Sequence, residues 1–178
     1  MTRFRKDPPS ALNRDGFLAR FGGVYEHSPW VAATLWDAGE TSDEVGTLAA
    51  AMARHVDAAD NTVKLALLRA HPDLAGKLAL DGELSPDSAV EQAGAGLDRC
   101  SAEEFAEFHA LNEAYLGKFH FPFIIAVRGL NRRDILEAFR ARMGNDRATE
   151  FSAALAQVHR IARLRLEAMA AESGEAAA

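Results

Sequence analysis

The apolar residues of this chain recur at spacings of three and four, the repeat that places side chains on one face of an α-helix. The longest such pattern runs from about Thr149 to Ala170 and aligns Phe151, Leu155, Val158, Ala162 and Met169. Shorter patterns recur along the chain, and most are bounded by a capping residue, glycine or proline. Together they predict an all-α fold, a single-domain bundle of roughly seven or eight helices joined by short turns.

Residues with N-cap chemistry mark the predicted helix starts, and glycines mark two of the predicted stops. The predicted caps are Asn13, Thr41 with Glu44, Ser101 with Glu104, and Asn131, and the predicted stops are Gly22 and Gly144. The Ser28–Pro29 pair predicts another start, so Glu26 and His27 just before it are interpreted as cap and surface residues.

Length and charge bound the organisation of the chain. Its 178 residues, 48% of them hydrophobic, suffice for one domain with a buried core. We expect a flexible lead-in at 1–11, one helical domain at 12–170 and a flexible tail at 171–178. A formal net charge of −6 argues against nonspecific binding of nucleic acid.

Cysteine content and hydropathy point to the cytoplasm. Cys100 is the single cysteine, which excludes an intramolecular disulfide and any CxxC metal site. The first residues, MTRFRKDPPS, have no apolar run typical of a secretory signal, and no stretch is apolar for the length of a membrane span. GxGxxG, Walker, HExxH and GxSxG motifs are also absent from the sequence.

His71 is the first candidate for chemistry. It follows an apolar helix, Val63 to Ala70, and Pro72 prevents that helix from continuing. Carbonyl groups left at a helix end favour an imidazolium, which suits proton transfer. The alternative is an ordinary residue at a helix end.

A second helix is predicted to start at Ser85–Pro86. Ser88, Glu91 and Gln92 fall at positions i, i+3 and i+4, so a hydroxyl, a carboxylate and an amide share one face. This combination suits a small polar heterocycle, although a solvated surface would have the same pattern.

Two further features call for polar partners. Residues 121–127, FPFIIAV, favour an extended backbone whose N–H and C=O groups need partners from a ligand edge, a two-stranded pairing or a buried connector. Arg165 lies within the apolar stripe of the last helix, where a guanidinium requires an acidic side chain of the protein or a bound anion.

Five segments occur in an order that closely resembles the 2-oxo-4-hydroxy-4-carboxy-5-ureidoimidazoline (OHCU) decarboxylases. They are VYEHSPWVA, LRAHPDLAGK, SAVEQAGAGL, FPFIIAVRG and HRIARLRL. The resemblance spans about Leu12 to Leu166, and the tandem of AHPDLAGK with SxxEQ is its most specific part. The segment WDAGETSD departs from many members and lies outside these motifs. The resemblance implies a cofactor-free, homodimeric enzyme of urate breakdown that holds no metal.

The resemblance also implies roles for residues. His71 matches the family's catalytic proton donor, and Glu91 matches the second catalytic group. The implied substrate contacts are Pro72, Ser88, Gln92, Phe123, Ile124, Ile125, Ala126, Val127 and Arg165. The reaction so implied is decarboxylation of OHCU to (S)-allantoin, with protonation of one face of the product carbon.

Two other functions are alternatives to the decarboxylase. A non-catalytic helical module that binds a purine-derived ligand or a partner protein would not need a proton donor facing a carboxylate. A hydrolase of 5-hydroxyisourate would need a water-activating group or a metal cluster, and the sequence shows neither. The decarboxylase is therefore the favoured prediction.

Overall fold

The computed structural model describes residues 2–72 and 101–175, with side chains described through residue 171 of the last helix. Within these residues the secondary structure is helical, and the predicted all-α fold is confirmed. The elements are a 3-10 helix at Pro9–Ala11 and α-helices α1 (Arg14–Phe21), α2 (Trp30–Asp37), α3 (Val45–Ala58), α4 (Asn61–Ala70), α5 (Ala102–Phe119), α6 (Arg132–Met143) and α7 (Arg147–Glu175).

Most of the predicted helix boundaries are confirmed. The Asn13 side chain accepts a hydrogen bond from Gly16 N–H at 2.9 Å, and α1 ends at its C-cap Gly22. Capping boxes start α5 at Ser101 and α6 at Asn131. These side chains satisfy amide groups that the first helical turn leaves without partners, which is why the boundaries are visible in the sequence.

The predicted capping box of Thr41 and Glu44 is wrong. Helix α3 begins at Val45, and Glu44 is itself the N-cap. Its carboxylate accepts hydrogen bonds from Gly46 N–H at 3.2 Å and Thr47 N–H at 2.6 Å. A glutamate at this position supplies both a cap and a negative charge at the positive end of the helix, so no hydroxyl cap is needed.

The chain divides into two compact units, and the first comprises Met1–Ala70 with His159–Ala178. Within it, α2 contacts both α1 and α3. Its core includes the buried side chains of Phe17, Phe21, Leu35, Leu48, Met52 and Val56. Phe4 is also buried and lies edge-on to Phe21, with ring centroids 5.2 Å apart. The division into a flexible lead-in, one domain and a tail stays a prediction.

The second unit comprises His71–Val158. Helices α5 and α6 contact each other, and an aromatic cluster forms the core. Phe123 stacks on Phe139 with ring centroids 3.8 Å apart, and Tyr115 lies edge-on to both rings. The predicted extended segment at 121–127 thus supplies core side chains. None of the helices within the described residues combines the length and apolar content that a membrane span requires.

Glu104 should make the stability of α5 sensitive to acid. The Ser101 N–H and, second, the side chain of Arg132 lower the pKa of Glu104 below its ordinary 4.5. A lowered pKa contributes stability that is present above the unfolded pKa and is lost as the pH falls through the folded pKa. We expect Glu104→Gln to be less stable at neutral pH and to lose less stability between about pH 5 and pH 3. Urea denaturation at each pH measures this, with Glu103→Gln as the control.

Candidate functional site

His71 lies directly after the last residue of α4. The helix ends at Ala70 and carries Arg69 in its last turn, as the position of Pro72 predicts. Both His71 and Pro72 are half-buried. The side chain of His71 is therefore neither part of the packed core nor fully solvated, and this local placement is compatible with proton transfer.

The predicted helix that starts at Ser85 lies outside the described residues. So do Ser88, Glu91 and Gln92. The facing arrangement of His71 and Glu91 therefore stays a prediction.

Residues 122–127 belong to no helix, strand or turn, in keeping with the prediction of an extended backbone, and side chains from two helices bind this segment. Arg142 Nη1 of α6 donates a hydrogen bond to the carbonyl of Ile124 at 2.6 Å. Ala126 N–H donates to Gln157 Oε1 of α7 at 3.0 Å. No strand pairs with this segment among the residues described, so the two-stranded alternative is not observed there. Side chains rather than a second strand supply these hydrogen bonds.

The N–H and C=O of Ile125 are expected to point away from the contacts with Arg142 and Gln157. In an extended chain, the N–H and C=O of one residue point to one side and those of the next residue point to the other. In the extended backbone that the sequence predicts here, the Ile124 carbonyl and the Ala126 N–H lie on one edge, and they bind Arg142 and Gln157. No hydrogen bond joins the N–H or C=O of Ile125 to any protein group within the described part of the chain. Ile125 is also half-buried, whereas its neighbours on both sides are buried.

Arg142 belongs to a buried ionic cluster. Its Nη2 lies 2.5 Å and its Nε 2.8 Å from Oε1 of Glu150, whose side chain is 0% exposed. Asn145 Nδ2 donates to Glu150 Oε2 at 2.7 Å, and the Tyr115 hydroxyl donates to Oε1. Burial, and then the adjacent Glu150, raise the pKa of Tyr115 above its ordinary range. The guanidinium also lies over the ring of Phe123, 4.5 Å from its centroid.

Arg165 is buried on the core side of α7, as its place in the apolar stripe predicts. Its Nη2 lies 3.0 Å from Oε2 of Glu26, and the two side chains are 5% and 4% exposed. Of the two partners left open by the sequence, an internal carboxylate is therefore present. The interpretation of Glu26 as a surface residue is wrong, because Glu26 is itself buried. Its neighbours Val24, Tyr25 and Ser28 are buried as well. A buried guanidinium and a buried carboxylate each reduce the cost of removing the other from water.

A chain of hydrogen bonds in the first unit was not visible in the sequence. The Tyr25 hydroxyl lies 2.8 Å from Nδ1 of His159, and Nε2 of His159 lies 3.1 Å from Oδ1 of Asp57. Burial, with a smaller effect of Asp57, raises the pKa of Tyr25 above its ordinary range. Within the described residues, no three His, Cys, Asp or Glu side chains are grouped closely enough to hold a metal ion.

Relatives with known names match nearly the whole chain. A 2-oxo-4-hydroxy-4-carboxy-5-ureidoimidazoline decarboxylase of Halalkalicoccus jeotgali is 40% identical over 167 residues, which cover 94% of this chain and 92% of the relative. Its counterpart in Haloferax volcanii is 43% identical over 155 residues, covering 87% and 89%. The uric acid degradation bifunctional protein PucL of Bacillus subtilis is 38% identical over 175 residues, which are 97% of this chain and 34% of that protein.

Solved structures share the fold. The crystal structure of an (S)-allantoin synthase has a TM-score of 0.73 at 33% identity, over 89% of this chain and 51% of that chain. An OHCU decarboxylase crystallised in the presence of (S)-allantoin has a TM-score of 0.63 at 22% identity, over 80% of this chain and 91% of that chain. This likeness shows the fold alone. The sequence profile of the OHCU decarboxylases matches residues 10–167. With relatives of this identity and coverage, the match shows that the chain belongs to the OHCU decarboxylase family.

Proposed function

We propose that this chain catalyses the decarboxylation of OHCU to (S)-allantoin in urate degradation. The observation that carries the proposal is the family match over residues 10–167, which contains both the His71–Pro72 and the Ser88–Gln92 motifs. The chain is a carboxy-lyase. Its residues have to orient one carboxylate, lower the barrier to losing CO2, and deliver a proton to one face of the product.

The chemistry of this substrate explains why side chains alone can catalyse its reaction. The carboxylate of OHCU lies on the carbon next to a ring C=N. When the bond to CO2 breaks, its electron pair passes into that imine, so the substrate contains its own electron sink. The imine nitrogen takes up a proton, the hydroxyl gives up its proton as it becomes a carbonyl, and the former imine carbon gains one. A positioned acid and base are the groups that this sequence of steps requires.

His71 and Glu91 are proposed to share these proton transfers. The position of His71 at the end of α4, half-buried and next to Pro72, supports its role as a proton donor. Glu91 is assigned by the SxxEQ motif of the family. Pro72, Ser88 and Gln92 are proposed to contact the substrate, with Ser88 and Gln92 holding its ureido and ring amide groups.

The backbone of 123–127 is proposed to bind the edge of the substrate ring. Arg142 and Gln157 already take the Ile124 carbonyl and the Ala126 N–H, which leaves the donor and acceptor of Ile125 for the planar ligand. Phe123, Ile124, Ala126 and Val127 are buried and shape the segment around that residue. An amide or urea edge presents one donor beside one acceptor, the complement of the N–H and C=O of one extended residue.

Arg165 is proposed to hold an anionic or carbonyl oxygen of the substrate. Its side chain is 5% exposed and oriented by Glu26 at 3.0 Å. A guanidinium has five N–H donors, so it can serve a carboxylate of the protein and a substrate oxygen together. Placing such a group before the substrate arrives avoids reorganisation during the reaction.

The decisive measurement generates OHCU in situ from urate and follows allantoin by circular dichroism. Relative to a control without protein, we expect this chain both to accelerate the loss of CO2 and to give an excess of (S)-allantoin. Racemic allantoin formed at the uncatalysed rate would contradict the proposal. Allantoin binding without turnover would instead support the non-catalytic binding module.

The family resemblance further supports a homodimer located in the cytoplasm. Sedimentation equilibrium is expected to give twice the chain mass of 19.2 kDa. A monomer at micromolar concentration would contradict this part of the proposal.

A further inference from the structure

We infer that, given the proposed function, Arg142 and Gln157 are positioning residues that hold one edge of the 123–127 segment so that the opposite edge, at Ile125, binds the substrate. Neither residue belongs to the motifs that carry the family resemblance at the site. Both would act through the backbone rather than by touching the reacting atoms. Their effect should therefore appear in substrate binding more than in the chemical step.

Arg142 holds the segment by two contacts of different kinds. Its Nη1 donates to the Ile124 carbonyl at 2.6 Å, and its guanidinium plane lies over Phe123, 4.5 Å from the ring centroid. Because these contacts fall on consecutive residues, they restrict both the position of the backbone and its rotation about its own axis. Phe123 is held from its other side by stacking on Phe139.

The guanidinium is itself fixed. Glu150 accepts from both Nε and Nη2 through Oε1, at 2.8 and 2.5 Å. Asn145 and Tyr115 orient that carboxylate by donating to its two oxygens. Only Nη1 is directed at the extended segment, so the cluster gives Arg142 one orientation. A satisfied buried network of this kind rigidifies the groups it contains.

Gln157 binds the segment at Ala126, two residues after the Arg142 contact at Ile124. Its Oε1 accepts from the Ala126 N–H at 3.0 Å, and the side chain is half-buried on α7. The two side chains thus bind the residues on either side of Ile125: Arg142 donates to the residue before it, and Gln157 accepts from the residue after it. An extended segment bound at both neighbours cannot rotate its central peptide groups away from a ligand without breaking one of these hydrogen bonds.

A purely structural role for the two side chains makes a different prediction. If they only satisfied buried backbone groups, their loss would lower stability and leave the affinity of the folded protein for ligand unchanged. If they position the Ile125 edge, affinity falls even when folding is complete. Substrate KM and the Kd for allantoin therefore separate the two roles, because loss of binding shared by ground and transition state raises KM with little change in kcat.

The test uses Arg142→Lys and Gln157→Met. Lysine retains the charge opposite Glu150 but cannot direct separate donors to Glu150 and Ile124 in a fixed fork. Methionine keeps the length of glutamine and removes the acceptor. We expect each variant to raise KM and the allantoin Kd about tenfold, with kcat changed less than about threefold. Gln157→Glu, which keeps the acceptor, should stay within about threefold of the original protein.

Arg140→Lys is the matched control, because Arg140 lies on the same helix, pairs with the exposed side of α5 through Glu107, and is 53% exposed. It should leave KM, Kd and kcat unchanged. Lower melting temperatures with unchanged KM and Kd in Arg142→Lys and Gln157→Met would overturn the inference while leaving the decarboxylase proposal in place. If the original protein forms no (S)-allantoin, the proposed function and the inference both fail.

Discussion

Replacing His71 by alanine is expected to lower kcat/KM for OHCU by at least about a hundredfold, the lower end of what general acid–base catalysis contributes. His71 is half-buried at the end of α4 and outside the packed core, so its loss should not unfold the protein. Any decarboxylation that proceeds without a positioned proton donor is protonated equally on both faces of the product carbon. The allantoin formed with His71→Ala should therefore be racemic, and its optical activity is the most direct measurement.

A second histidine provides the control. His27 is exposed and has a positive φ of 55°, a conformation that asparagine also adopts. His27→Asn should retain both the rate and the excess of (S)-allantoin. Full rate and full stereoselectivity in His71→Ala would refute the assignment of the proton donor to His71. Unchanged near-ultraviolet circular dichroism would show that a loss of activity is not a loss of folding.

The helical architecture was predictable because its signals are local. Asn13, Ser101 and Asn131 each satisfy amides within three residues of themselves, so their chemistry can be interpreted without knowledge of the rest of the fold. The stop before His71 follows from a single proline. Even the error at Glu44 is local, since Thr41 and Glu44, three residues apart, could each have capped the same helix.

The ionic pairs were not predictable in the same way. Glu26 and Arg165 are 139 residues apart in sequence, and Tyr115 and Glu150 are 35 apart. The position of Arg165 in an apolar stripe showed that it needs a partner, but nothing in a single sequence identifies which carboxylate is close. Glu150 gave still less signal, because an acidic residue in the first turn of a helix is ordinarily a solvated one.

Glu150→Ala is expected to destabilise the protein by about 3–5 kcal/mol, the cost of leaving a buried charge without its partner. Glu150 is 0% exposed and is the acceptor for Arg142, Asn145 and Tyr115. Its loss removes the only carboxylate with which Arg142 forms an ion pair among the described residues. It also removes the acceptor of a buried hydroxyl, so two desolvation penalties add. Urea denaturation should show a lower midpoint with an unchanged m-value.

Glu107→Ala removes a carboxylate from an exposed ion pair, so comparing it with Glu150→Ala shows how much of the loss of stability comes from burial. Glu107 also pairs with an arginine at 2.5 Å, but its side chain is 36% exposed and that of Arg140 is 53% exposed. Water can replace a lost partner there, so we expect a change of at most about 1 kcal/mol. Equal effects of the two alanine substitutions would contradict the assignment of the Glu150 cluster as a buried ionic centre.

The double variant Arg142→Met/Glu150→Met tests why the cluster exists. Replacing a buried ion pair by apolar side chains of similar size often restores stability, so the double variant should be more stable than Glu150→Ala. It would still lack the donor to the Ile124 carbonyl. If the positioning role of Arg142 is correct, this variant folds and nevertheless binds allantoin weakly. A stable double variant with normal allantoin affinity would show that the cluster serves folding alone.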